Sequence, residues 1–297
     1  INRTAHAGRS GKEYKFEEDY LPKITQMMDA LAPYPTRVIV QRKYANFIEP
    51  HMHSKTDMKH VEIEDLRKFP FFDRIESIRN TQEWLDDTPW LITVPQGYSP
   101  YYNPIVMQKF VWLYEVSKEN PFRTKYFVWL DSGTCSLSMG LFGREHFIRK
   151  LRYHMDRFFM TKSPYRDGAD IHGCLKDKMI KLAGEMPDHV NKGWVFGGTH
   201  HYLSLIHTEY ISMLNISLSI GCLGTEETIF TILYYTHRHL YHAYDNGDNG
   251  NEWDDNMCKF VVDDGPYREQ LDYCSCNQNA SYTSDSILLA VNWTRLG

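Results

Sequence analysis

The sequence predicts an α/β domain with a mainly parallel sheet flanked by helices. Three observations predict it. Short β-branched or aromatic runs alternate with helix-period segments along the chain. Tyr126–Leu130 (YFVWL) is apolar throughout, as a strand buried on both faces would be. The chain has 297 residues and 42% hydrophobic content, enough for a large core, and contains no run of 18 apolar residues that could cross a membrane.

The elements follow in order. Residues 1–20 are polar, helical spacing runs from Tyr20 to Leu31, and Pro33 and Pro35 stop it. Thr36–Val40 and Trp90–Val94 read as strands. Asn103 is placed to cap a helix, with Pro104 at its first position and Ile105, Val106, Phe110, Leu113 and Val116 on its apolar face. Asn120-Pro121 ends that helix, and the Tyr126–Leu130 strand runs into Asp131-Ser132-Gly133. A basic helix is expected over Arg144–Phe159. A strand over Trp194–Phe196 meets Gly197-Gly198, and a helix covers Leu205–Ile220. Gly224-Thr225-Glu226-Glu227 opens a helix carrying Ile229, Phe230 and Leu233. Asp245–Asp255 is an acidic loop, and strands near Cys258–Val262 and Ile287–Val291 close the chain. We read one domain over 1–244, with a C-terminal extension over 245–297 packed on it.

Charge and cysteine content narrow the function classes. With 33 basic and 38 acidic residues the chain lacks the basic surface of a general nucleic-acid binder. The 14% aromatic content suits a protein that handles sugars or other ring-shaped ligands. The six cysteines are scattered with no C-x-x-C pair, so reduced, buried thiols and a cytoplasmic setting are expected, with a lumenal setting as the alternative. The chain also holds four N-x-S/T triplets, at Asn2, Asn215, Asn279 and Asn292, which carry little weight.

Several constellations could carry chemistry. Asp131 ends a buried strand, where ligands of open α/β sheets bind, and a carboxylate there can hold a hard cation. Gly197-Gly198 permits close approach of a ligand. Glu226 and Glu227 occupy a first helical turn, where the dipole should keep a general base ionised. Lys109 could reach phosphate oxygens. His237, His239 and His242 cluster, as do His51 and His53, without the H-E-x-x-H pattern. Tyr98, Tyr101, Tyr102, Trp253 and Tyr267 could line an acceptor site. Each feature also has an ordinary structural explanation: a strand-end turn, a helix cap, a solvated lysine, core filler.

In order, however, they form a pattern. Asn103-Pro104…Lys109, Asn120-Pro121-Phe122, Tyr126–Gly133, Phe196–Thr199 and Gly224–Glu227 together resemble the HtrL/YibB (WlaTC-like) family of GT-A-type glycosyltransferases. The resemblance covers about residues 100–235, with W-L-D-x-G its most specific part. It implies a GT-A-like (Rossmann-like) fold and transfer from a UDP-sugar (xylose, glucose or galactose) to a hydroxyl of a glycan or glycoprotein acceptor, with inversion. It implies donor binding by Lys109, Asn103, Asp131, Ser132, Gly133, Gly197 and Gly198. It implies Mn²⁺ or Mg²⁺ on Asp131 and His242, and Glu227, ahead of Glu226, as the base. Gly133 replaces the second Asp of a D-x-D motif. The first strand of a GT-A domain is expected to be missing ahead of Ile1. The alternative is a catalytically degenerate GT-A domain that binds glycans without turnover.

Overall fold

The computed structural model describes residues 21–87, 91, 95–131, 151–166, 173–245 and 288–293. The chain begins with α1 (Leu21–Leu31), β1 (Thr36–Gln41), α2 (Ala45–Ile48) and β2 (Thr56–Val61). Three short helices follow, α3 (Phe72–Arg79), α4 (Gln82–Asp87) and α5 (Pro95–Tyr98), then the long α6 (Tyr102–Glu119) and β3 (Tyr126–Asp131). Next come β4 (Phe158–Pro164), α7 (Lys176–Ala183), β5 (His189–Thr199), α8 (His200–Ser219), α9 (Glu226–Thr236), β6 (Tyr241–Asp245) and β7 (Leu288–Trp293).

The seven strands form one sheet in the order β2-β1-β7-β3-β5-β4-β6. Only β1 with β2 and β4 with β6 run parallel. The pairs β1–β7, β3–β7, β3–β5 and β4–β5 are antiparallel. The sheet is therefore mixed, which corrects the expected mainly parallel one. The apolar run at Tyr126–Leu130 reports burial on both faces, and burial does not fix the direction of neighbouring strands.

Side chains of β3 alternate between two cores. Phe127 and Trp129 join Phe110, Phe158, Phe196, Tyr210 and Phe230 under α6, α8 and α9. Val128 and Leu130 join Val38, Val40, Phe159 and Val195 under α1, with its Ile24, Met27 and Leu31. This period of two, with both faces covered, is why the run carries no polar residue.

The helix boundaries have local causes. Asn103 lies inside the first turn of α6, not at its cap, and Tyr101 takes the cap position without a side-chain bond. At the other end Asn120 adopts the left-handed conformation (φ 40°, ψ 57°). Its Oδ1 accepts the Thr124 N–H at 2.7 Å and its Nδ2 donates to the Thr124 carbonyl at 3.0 Å. The N-P-F-R-T segment is thus a helix stop that aims the chain into β3.

Other expectations need correction. The basic helix of 144–159 ends early: residues 151–154 are helical, and Phe158 already begins β4. The strand at 194–196 extends over His189–Thr199, and helix α8 begins at His200 on a Thr199 cap. Strands β2, β4 and β6 lie where the sequence pattern predicts no strand. Of the strand at 90–94 only Leu91 is described, outside any strand, and the strand at 258–262 lies outside the described residues. Cys174 and Cys222 form a disulfide, correcting the expectation of reduced thiols throughout. The other four cysteines lie outside the described residues. No described helix is long and apolar enough to cross a membrane.

Candidate functional site

The charged side chains at the carboxyl end of β3 are buried together. Lys109, from the middle of α6, is only 5% exposed, and Asp131, the last residue of β3, is 8% exposed. Glu226 and Glu227, the first two residues of α9, are 3% and 6% exposed. Lys109 Nζ lies 2.7 Å from Asp131 Oδ2 and 2.8 Å from Glu226 Oε1. The Trp129 indole N–H donates to Asp131 Oδ1 at 2.6 Å. Glu227 Oε1 accepts the Gly193 N–H at 2.8 Å, and its Oε2 lies 3.9 Å from Lys192 Nζ.

Gly193 makes this closure possible. β5 carries an irregularity here: Met160 of β4 faces Phe196, but the next residue, Thr161, faces Lys192. The three extra residues of β5 form a bulge, a device that re-aims a strand locally. A Cβ at Gly193 would overlap the Glu226 carboxylate. Asn103 braces the same assembly from behind. Its Nδ2 donates to the Gly224 carbonyl at 2.7 Å, and its Oδ1 accepts from Arg79 Nη1 at 3.1 Å. The start of α9 is thereby tied to α6 and α3.

Two lysines, Lys109 and Lys192, face three carboxylates here, and burial disfavours charge. Burial, reinforced by Glu227 and Asp131, pushes Glu226 up to about 7 against the pull of Lys109. For Glu226 this direction runs against the lowering expected from the helix dipole. Burial also raises Asp131, although Lys109 and Trp129 oppose it. Lys109 is held well above its ordinary value, because its two carboxylate partners outweigh its own desolvation. Tyr102, half-buried, is raised by desolvation, with Glu226 adding to it. A cation that stays charged beside a carboxyl that titrates near neutrality is the arrangement of a proton-transfer site. It is equally the electrostatics of a structural ion network.

The family described as "Bacterial protein of unknown function (HtrL_YibB)" matches residues 35–261. The chain belongs to the HtrL_YibB family. No curated protein and no solved structure matches it. The matched span of this HtrL_YibB chain includes the whole buried cluster.

The structure thus brings together Lys109, Asp131, Glu226 and Glu227, with Asn103 one contact away. It does not bring Gly197 and Gly198 to them. These glycines lie within the sheet, opposite Val128 and Phe127 of β3, and a Cβ on Gly197 would overlap the Phe127 carbonyl. They are there for close strand packing, and do not form a loop.

His242 is also elsewhere. It lies on β6 opposite Phe159, which faces Gly197, which faces Val128. At about 4.8 Å per strand spacing, it is roughly 14 Å from the β3 row. Asp131 and His242 therefore do not share an ion. Among the described residues no group of three or more His, Cys, Asp or Glu side chains is placed to hold a metal.

Ser132, Gly133, Trp253 and Tyr267 lie outside the described residues. Sequence reasoning missed Gly193, Lys192 and Trp129. A glycine interrupting a strand pattern was the available signal for Gly193, since such a residue marks a bulge or a close approach.

Proposed function

We propose that this HtrL_YibB chain is a glycosyltransferase that moves a sugar from a UDP-sugar to a hydroxyl of a glycan or glycoprotein, with inversion. The observation that carries the reading is the burial of Asp131, Glu226 and Glu227 together at the carboxyl end of the central strand, with Lys109 in salt-bridge contact with Asp131 and Glu226. Either Glu226, held by Lys109, or Glu227, which accepts the Gly193 N–H, is placed as the base, and Glu226 is taken here because burial raises its pKa toward the working pH. In the proposed step the acceptor oxygen attacks the anomeric carbon as the bond to UDP breaks. Glu226 takes the hydroxyl proton, and UDP departs with the bonding pair. Lys109 supplies the positive charge that the resemblance assigns to the donor diphosphate, and Trp129 fixes Asp131.

The resemblance also implies Mn²⁺ or Mg²⁺. Both Asp131 oxygens are engaged, by Lys109 and Trp129, and His242 is remote. Among the described residues no group of three or more His, Cys, Asp or Glu could hold a metal ion, and the proposed step uses the chain's own side chains. The engagement of both Asp131 oxygens also favours a second reading, a degenerate domain that binds glycans without turnover.

The test is UDP release from UDP-xylose, UDP-glucose and UDP-galactose with a glycan acceptor panel, with added Mn²⁺ and with chelator. Transfer with one donor, lowered about 100-fold or more by Glu226→Gln, supports the transferase. A larger loss in Glu227→Gln than in Glu226→Gln would return the base to Glu227. Absence of UDP release and of UDP binding, with retained glycan binding, would replace the transferase by the binding module.

A further inference from the structure

The histidines outside the buried cluster fall into different settings. His237 pairs with Glu209 at 3.6 Å, and His53 with Asp29 at 3.5 Å. His242 meets another imidazole. Its Nε2 lies 2.8 Å from His154 Nδ1, with the ring centroids 4.3 Å apart and the planes at 68°. On its far side, His242 Nδ1 lies 3.4 Å from Asp156 Oδ1. His154 ends the helical residues 151–154, Asp156 lies in the turn before β4, and His242 is held by β6 opposite Phe159. Sheet register thus fixes the pair. Tyr153 packs against His242, and Phe159 and Tyr244 pack against His154.

We infer that His154 and His242 form a two-imidazole chelate for a divalent transition-metal ion of the zinc, nickel or copper class, with Asp156 orienting His242. The geometry is close to what such an ion needs. Tetrahedral coordination at Zn–N of about 2.0–2.1 Å separates two ligand nitrogens by about 3.3 Å. Small rotations of the two rings open that space. A carboxylate on the far nitrogen of a histidine selects the tautomer whose other nitrogen presents its lone pair to a metal. Here that places the His242 lone pair on Nε2, facing His154. Imidazole nitrogen suits zinc, copper and nickel better than it suits magnesium or calcium. Among the described residues the two imidazoles are the ligands, and water or an external ligand can take further positions on the ion.

The experiment is calorimetric titration of the untagged, chelator-treated full chain with Zn²⁺, repeated with Ni²⁺. One bound ion is expected. His154→Ala and His242→Ala should each weaken binding at least tenfold. Asp156→Asn should weaken it less, and the His237→Ala, His239→Ala double variant should leave it unchanged. Circular dichroism checks that each variant is folded. Should a variant fail to fold, ¹⁵N NMR of the unaltered chain gives the same answer, because zinc must shift His154 Nδ1 and His242 Nε2 together. Affinity equal to the parent's in the His154→Ala and His242→Ala variants overturns the site. So does loss of binding through His237 and His239, or an N–H···N bond between the rings that persists in saturating zinc.

Discussion

At the scale of single residues, the buried cluster makes opposite demands on its members. Glu226 binds protons more tightly folded than unfolded, its ordinary value of 4.5 moving to about 7. Between those values the folded chain holds more protons than the unfolded chain, so this group's contribution makes stability fall as pH rises through the window. Glu226→Gln removes that dependence. The expected result is a melting temperature that varies less between pH 4.5 and 7 in the variant than in the parent, measured by calorimetry at fixed ionic strength. Lys109 behaves differently, because its removal leaves two buried carboxylates without their cation. Lys109→Met should cost about 3–5 kcal/mol, the usual penalty for breaking a buried pair from one side. Combined with Glu226→Gln it should cost less than the sum of the two single changes, since the residues share one contact. Strict additivity in denaturant melts would show that the contact does not couple them.

At the scale of elements, the stop at Asn120 has a specific requirement. A left-handed residue that also holds Thr124 with three side-chain bonds suits Asn. Asn120→Ala keeps the strain and loses these bonds, so a loss of about 2–3 kcal/mol is expected. Asn120→Gly removes the strain and should be the milder change. The reverse order in urea titrations would show that the conformation does not govern this position. Such local features were readable in the sequence: the end of α6, the start of α9 and the whole of β3 stand close to where apolar period and cap residues put them. The pairing of strands was not readable, because an apolar run signals burial without direction. Strand β6 was hidden in Tyr241–Asp245, where the histidine spacing fits a helix face as well as an edge strand. Of the site, Lys109, Asp131 and the two glutamates were legible as chemistry-bearing residues at element ends. Their mutual contact was not, since Lys109 and Glu226 are 117 residues apart. For Gly193 the sequence offers only a glycine beside a strand pattern; its closeness to Glu226 depends on a bulge set by the β4 partner strand.

At the scale of the whole molecule, the Cys174–Cys222 disulfide ties the chain ahead of α7 to the segment leading into α9. The sequence separation is 48 residues, and the enclosed loop contains α7, β5 and α8. It therefore spans the strand that carries Gly193 and ends two residues before Gly224, whose carbonyl Asn103 holds. Closing a loop of this length stabilises the folded chain by about 4 kcal/mol if the effect is mainly unfolded-state entropy. Both sulfurs lie in a small buried cluster with Met179 and Ile232, so reductant reaches them only as the fold opens. Reduction should accordingly be slow under native conditions and fast in mild denaturant, and Cys174→Ser should melt at a lower temperature than the parent. In the same variant the proton affinity of Glu226 should be retained, because its raised value comes from burial, with Glu227 and Asp131 adding to it against the pull of Lys109. A pH profile of stability that changes shape on losing the disulfide would show that the bond also sets the geometry of the cluster. A uniform offset would confine its role to the loop it closes.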